Sequence, residues 1–167
     1  ADFWAKTIEC IKEKNPHITI ETLIPDFDAK PELIQKVIDA RPNIISHNLE
    51  TVRRLTPLVR SRAKYDISLK TIETISKSGT IRSKSGIMVG LGETEEEVLQ
   101  TMDDLLAVGC KIMTIGQYLQ PTRKHYPVAE YVTPAQFAKY REIGLKKGFR
   151  FVESGPLVRS SYHAEKH

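Results

Sequence analysis

The strongest constraint on how this chain folds is a repeated switch in hydrophobic period. Short β-branched or apolar runs, centred near residues 20, 45, 88, 113 and 151, are separated by segments whose apolar residues recur at helical spacing. Trp4, Ile8 and Ile11 share one face of a helix over about residues 2–14, and Leu33, Ile34, Val37 and Ile38 mark a second helix with Pro31 near its start. Leu69, Ile72 and Ile75 mark another, ending near Gly79. The runs 17–23, 43–47, 85–90, 111–115 and 149–152 read as strands. Strands alternating with helices imply right-handed βαβ crossovers and a parallel sheet. The expected fold class is therefore α/β, a partial (β/α) barrel of about five parallel β-α units. The 167 residues fall short of the roughly 250 that a closed eight-fold barrel needs. One domain over 1–167 is expected, with a polar C-terminal tail at 155–167 and no interdomain linker.

Two helices carry their own start signals. Thr94-Glu95-Glu96-Glu97 has the form of a capping box, and its glutamates suit the positive end of a helix dipole. Val98, Leu99, Met102, Leu105 and Leu106 form the buried stripe behind it, with Gly109 as the stop. Thr133-Pro134-Ala135-Gln136 reads as a second capping box with Pro at the first helical position, and Gly148 ends that helix. The long loop between Gln117 and Thr133 is of a length that often serves function.

Composition excludes several classes. No apolar run reaches the roughly 18 residues a membrane helix needs. Ala1-Asp2-Phe3-Trp4 lacks the basic and apolar regions of a signal peptide, and without an initiator Met the chain is expected to be a processed or excised piece. Cys10 and Cys110 are too few for a disulfide framework, an all-thiolate zinc site or an iron–sulfur cluster, so a reducing, cytoplasmic setting is the default. A net charge of +4 favours acidic partners weakly and does not argue for nucleic acid.

In parallel α/β folds ligands bind beyond the C-terminal ends of the strands, which directs attention to four loops. His47-Asn48 with Glu50 suits a ribose or a metal, or else a plain turn in which Asn48 caps a helix. Gly90-Leu91-Gly92-Glu93 fails the dinucleotide fingerprint, because Glu95 stands where a third glycine belongs, and no Gly-Lys-Ser/Thr follows. It is a glycine turn, or a place where a flat ligand meets the backbone. Gln117, Tyr118 and Gln120 suit a pocket wall or a Pro-terminated loop. Arg159-Ser160-Ser161-Tyr162-His163 holds nucleophile and base types but no Gly-x-Ser-x-Gly elbow, so a polar tail competes with a hydrolase reading. Arg53, Arg54, Arg60, Arg62 and Lys64 form either a solvated face or a docking stretch for an acidic partner.

The ordered set 21-ETLIPDF-27, 47-HNLET-51, 65-YDxSL-69, 84-KSGIMVGLGET-94, 114-TIGQYLQP-121 and 159-RSSYHA-164 closely resembles the lipoyl synthase family over essentially the whole chain. The resemblance implies a radical S-adenosylmethionine enzyme that inserts two sulfur atoms into an octanoyl group on a carrier lysine. Its cofactors are S-adenosylmethionine and two [4Fe-4S] clusters, one radical-generating and one auxiliary. Its partners are octanoylated lipoyl carrier domains, namely subunits of dehydrogenase complexes and the glycine cleavage carrier protein, with no specific nucleic acid and no membrane. By the same resemblance Ser160 is the serine ligand of the auxiliary cluster and Arg159 the cation beside it. Asn48, Glu50, Arg60, Gly90 and Glu93 are assigned to S-adenosylmethionine, with Arg60 toward its carboxylate. The family's two cysteine motifs, C-x3-C-x2-C and C-x4-C-x5-C, are absent here. They normally precede this region, as do the first two barrel strands. The chain is thus expected to be the C-terminal part of such an enzyme, inactive and cluster-free by itself. Its exposed sheet edge is expected to be covered by the N-terminal helix or a neighbouring molecule, and its tail from Arg159 to His163 to be mobile.

Two other readings compete. One is a metal-free partial-barrel lyase, for which Lys84 and Glu93 are the candidate groups. The other is a basic module that docks an acidic carrier protein through residues 53–64.

Overall fold

The structure, a computed structural model, describes residues 1–161. Helix α1 (Asp2–Lys14) leads into β1 (Glu21–Leu23), a single 3-10 turn at Phe27–Ala29, α2 (Pro31–Asp39) and β2 (Ile44–Ser46). There follow α3 (Thr56–Val59), α4 (Tyr65–Lys77), β3 (Arg82–Val89), α5 (Glu95–Ala107), β4 (Ile112–Gln117), α6 (Pro134–Lys147) and β5 (Phe151–Gly155). The five strands form one sheet in sequential order, every neighbouring pair parallel. Right-handed crossovers between strands in that order put the helices on one face. Ile87, Val89, Met113, Ile115 and Val152 point to that face and pack with Val98, Met102, Leu105, Phe137 and Tyr140. The alternate residues of the same strands, among them Gly86, Met88, Thr114 and Gly116, face the other way and line a cleft.

Local chemistry sets the ends of the elements. Thr94 Oγ1 accepts from Glu97 N at 3.3 Å while Thr94 N donates to Glu97 Oε2 at 2.9 Å, the complete reciprocal box. At α6 only half of the second box forms: Thr133 Oγ1 accepts from Gln136 N, but the Gln136 amide turns to Glu95 Oε2 at 2.9 Å. Gly148 ends α6 in a left-handed conformation (φ +113°) and directs Phe149 N back to Gly144 O. That closure pulls Phe149 into the core and delays β5 to Phe151, two residues later than the sequence pattern indicates. β1 is likewise shorter than its β-branched run. The Asn43 side chain accepts from Ile20 N at 2.8 Å, and only from Glu21 does the ladder with β2 begin.

β1 is a sheet edge, and the expectation that α1 covers it is met at one point. Trp4 Nε1 donates to Leu23 O at 3.0 Å, and Trp4 also meets Phe27 edge-on. Ile8 of α1 packs with Ile34, Val37 and Ile38 of α2 in a second core under β1. Among the described residues no helix is long and apolar enough to cross a membrane.

Replacing an N-cap Thr by Ala removes a side-chain acceptor for an otherwise orphaned N–H. We expect Thr94→Ala to lower the unfolding free energy by about 1 kcal/mol, read from the urea midpoint at unchanged slope.

Candidate functional site

The C-terminal ends of the strands open on a cleft of about 300 Å³ to which every strand or its following loop contributes. Leu23 comes from β1, Asn48 and Glu50 from the turn after β2, and Gly86, Ile87 and Met88 from β3. Thr114, Gly116, Gln117 and Leu119 come from β4 and its exit, and Val158, Arg159 and Ser160 from the segment after β5. Two glycines set the shape. A Cβ on Gly86 would stand 2.3 Å from Thr114 Oγ1 and 3.3 Å from Asn48 Oδ1. One on Gly116 would stand 2.3 Å from Val158 O, so the bare backbone of β4 is what lets the C-terminal segment lie against the cleft.

Asn48 Oδ1 is buried and has no hydrogen-bond partner. A buried carbonyl oxygen left unpaired costs about 1–3 kcal/mol, which a ligand donor in the cleft would recover. Glu50 takes a left-handed conformation (φ +68°) and still bridges to β3, its N–H to Gly86 O and its carbonyl to Met88 N. Burial pushes its carboxyl above the usual carboxylate range, and the Asn48 side chain and the Arg60 charge act against that push.

Asn48, Glu50, Arg159 and Ser160 are therefore brought together in one cleft. Arg159 lies along its own segment, with Nη1 donating to Val158 O at 2.8 Å. Tyr162, His163 and Ala164, and the expectation of a mobile tail there, lie outside the described residues.

Three other residues singled out from the sequence are placed elsewhere. Arg60 is absent from the cleft lining; its Nη1 donates to Leu49 O at 3.0 Å and Ser68 Oγ at 3.1 Å. Gly90 and Glu93 are absent from it too. Glu93 spends both carboxylate oxygens on the turn, accepting from Gly90 N at 2.6 Å and Leu91 N at 2.9 Å. What approaches Gly90 (φ +96°) is protein: an added Cβ would meet Gln117 Nε2 at 2.3 Å and Glu130 O at 2.5 Å. Gln117 in turn holds the long loop, donating to Tyr118 O and Glu130 O and accepting from Val132 N. Gly90 is thus needed so that this loop can close over the end of β3.

The competing readings lose their free groups. Lys84 is 1% exposed and ion-paired to Glu21 Oε2 at 2.9 Å, outside the cleft lining. Of the basic stretch, Arg53 pairs with Asp66 and stacks over Tyr65, and Arg54 grips Glu97 with two nitrogens. With Arg60 committed as above, Arg62 and Lys64 carry what remains of that surface's charge. Among the described residues no group of three or more His, Cys, Asp or Glu side chains is placed to hold a metal. Cys10 is exposed on α1. Cys110 is buried before β4, and burial pushes its thiol up to about 11. These residues do not make the ligand set of an iron–sulfur cluster.

The family model of the Radical SAM superfamily matches residues 1–105. The chain belongs to that superfamily. Radical SAM relatives named lipoyl synthase align over all of it: the Phocaeicola vulgatus protein is 71% identical over 167 residues, 100% of this chain and 58% of that protein. The Treponema denticola lipoyl synthase is 60% identical, again over 100% of this chain and 57% of its own length. The chain thus spans less than two thirds of the curated relatives it matches. Among solved structures, a domain of pyruvate-formate lyase-activating enzyme from Bacteroides vulgatus superposes with a TM-score of 0.68 at 12% identity, covering 92% of this chain and 90% of that one. Methylornithine synthase gives 0.68 at 13% identity, covering 91% and 51%. At such identities these likenesses speak for the fold, the same parallel half-barrel.

The cleft's residues Gly86, Thr114, Gly116 and Leu23 were discoverable from strand alternation alone, since each points opposite to the helix-packed residues beside it. Gly116→Ala tests how the cleft is built. The methyl meets a main-chain carbonyl rather than a flexible side chain, so we expect the segment bearing Arg159 and Ser160 to lift away. Hydrogen exchange at Val158 N–H, which donates to Gly155 O at 3.1 Å, should accelerate about tenfold while that of β3 amides stays unchanged.

Proposed function

We propose that this chain is the C-terminal part of a lipoyl synthase, and that its cleft is one wall of the site where S-adenosylmethionine meets a protein-bound octanoyl group. The observation that carries the reading is whole-chain identity of 58–71% to lipoyl synthases, together with a cleft bearing an unpaired buried acceptor. Asn48 Oδ1 then takes a hydroxyl or amino donor of S-adenosylmethionine, and Glu50 a second donor beside it. Gly86 gives the flat floor that an adenine requires. Gly90 and Glu93 serve the site through the turn and the Gln117 loop rather than by contact, and Arg60 through the turn at 47–50. Ser160, with Arg159 beside it, is the oxygen ligand offered to the auxiliary cluster. When bound, these groups supply radical chemistry, electrons and the inserted sulfur; the residues of this chain bind, orient and wall off. The clusters' cysteine ligands are not among the described residues, so no step through a cluster is assigned to this chain.

The partners under this reading are octanoylated lipoyl carrier domains in the cytoplasm, with neither nucleic acid nor membrane involved. With Arg53, Arg54 and Arg60 engaged within the fold, steering of an acidic carrier by this stretch rests on Arg62 and Lys64, and its salt dependence should be shallow.

In the full-length parent, Asn48→Ala should weaken S-adenosylmethionine binding about tenfold by calorimetry, the worth of one buried hydrogen bond. Unchanged affinity would remove Asn48 from the site. Ser160→Ala should abolish sulfur insertion and Ser161→Ala should leave it intact; the reverse pattern would overturn the assignment. The 167-residue chain alone, after anaerobic reconstitution, should hold no stoichiometric [4Fe-4S] cluster, checked by iron analysis and visible absorption. A stoichiometric signal would show that the ligand count is mistaken.

A further inference from the structure

We infer that Arg60, Ser68 and His47 form a one-way hydrogen-bond relay that clamps the turn bearing Asn48 and Glu50 to β1 and α4, making Ser68 a positioning residue for a cleft it does not line. The inference rests on the reading of that cleft as the S-adenosylmethionine site only for its functional consequence; the relay itself stands on geometry.

The groups are close and buried. His47 is 3% exposed, and Ser68, in the first turn of α4, is fully buried. His47 Nδ1 lies 2.9 Å from Ile24 O at the end of β1, and His47 Nε2 lies 2.9 Å from Ser68 Oγ. Arg60 Nη1 reaches Ser68 Oγ at 3.1 Å and Leu49 O at 3.0 Å. The direction of every bond follows from the two ends and the charge of the ring. A guanidinium can only donate, so the Ser68 oxygen accepts from Arg60; it keeps a second lone pair and one hydroxyl proton, and the state of the ring decides which of these meets His47 Nε2. A carbonyl can only accept, so the proton facing Ile24 is on Nδ1. With the proton placed on Nδ1 and burial keeping the ring neutral, Nε2 is unprotonated and accepts the Ser68 hydroxyl proton. Burial and the Arg60 charge disfavour the imidazolium, while the Ile24 carbonyl and the Asp26 charge favour it; the net effect is a His47 pKa below its ordinary value.

The turn needs such a clamp on that side. Toward β3 it is held by main-chain bonds: His47 N to Lys84 O, Glu50 N to Gly86 O and Met88 N to Glu50 O. Toward β1 and α4, beyond Ser46, the bonds that hold it are those of the His47 ring and of Arg60 on Leu49 O. Glu50 sits in a left-handed conformation that costs a non-glycine residue roughly 1 kcal/mol or more, and such a conformation persists only where its surroundings over-determine it. Losing the relay frees one side of the turn, and Asn48 and Glu50 with it.

Nitrogen NMR on the 167-residue chain decides the tautomer: Nδ1 should show the shift of a protonated ring nitrogen and Nε2 that of an unprotonated one. Ser68→Thr and Ser68→Val, nearly isosteric and differing in the hydroxyl, test the clamp free of packing effects. In the Val variant we expect amide exchange at Leu49 and Glu50 to accelerate about tenfold over the Thr variant, with β4 amides equal in the two. In the full-length parent, the dissociation constant for S-adenosylmethionine should rise about tenfold in Val over Thr. A proton on Nε2, equal behaviour of Thr and Val, or acceleration spread evenly through β4 would overturn the relay. A wild-type parent that fails to bind S-adenosylmethionine would sink the reading of the cleft, and the tautomer and exchange measurements would still decide the relay.

Discussion

The cleft depends on the parallel ladder running from β1 to β5 in sequential order. Because each strand returns to the sheet through a right-handed crossover, one face is buried under helices and the other receives none. The helix-packed face can be filled with Ile, Val, Leu and Met, and it is. The other face has to satisfy its own polar groups, and strand alternation places every second residue there. Glycines at positions 86 and 116, side by side with Thr114 and Met88 in the β3–β4 register, are the result of crowding from above rather than of a turn.

That bare face is held together by charge. Lys84 on β3 pairs with Glu21 on β1, and Glu21 accepts at its second oxygen from Ser46 Oγ on β2 at 2.6 Å. Three strands are thus tied across a face that receives no helix, with Ile44 and Ile112 buried beside the pair. Desolvating a lysine to 1% exposure is costly, and an isolated pair of this kind is weak evidence of net stability. What it supplies is register. Glu21 and Lys84 meet only if β1, β2 and β3 keep the pairings Glu21 with Ile44 and Ser46 with Lys84, and a slip of one residue would put Lys84 under the helices. The short edge strand, three residues long, has few ladder bonds to fix its own register, so this polar tie and the Trp4 indole on Leu23 O carry much of that task.

The class, the five strands and the helix stops were legible in the sequence because they rest on period and on capping chemistry, both local. Thr94, Gly109 and Gly148 do what their types and positions require. What was not legible is where two distant pieces of chain meet. Helix α3 has four residues, too few for a period to register. The three consecutive left-handed residues Phe27, Asp28 and Ala29 contain no glycine to announce them; they are held from outside, by Thr71 of α4 donating to Asp26 O at 2.9 Å and by Trp4 against Phe27. The neighbours of Gly90, Gln117 and Glu130, are likewise distant in sequence, and Arg60 reaches Leu49 and Ser68 across two turns that no period announces. The family resemblance put Arg60 toward a ligand carboxylate, and the glycine turn at Gly90 suggested a flat cofactor, but in the fold each is claimed by protein. Asn48 and Glu50 were legible for a different reason: a polar pair just past a buried strand has nowhere to go but the strand-end cleft.

The C-terminal segment closes the argument about how a ligand is seen by this chain. Asn48 and Glu50 stand on the β2 side of Gly86, and Arg159 and Ser160 lie over β4 against Gly116. The two pairs come from opposite ends of the sequence, and in the described residues the second is anchored by little more than Val158, buried at 6% exposure, and its N–H to Gly155 O. The first wall is clamped on both sides; the second rests on one apolar side chain and one turn bond. A ligand filling the space between them therefore gains orientation from the rigid wall and has to order the looser one. Under the proposed reading, a ligand held by Asn48 and Glu50 faces Ser160 across a floor in which Gly86 and Gly116 alternate with Met88 and Thr114 in the β3–β4 register.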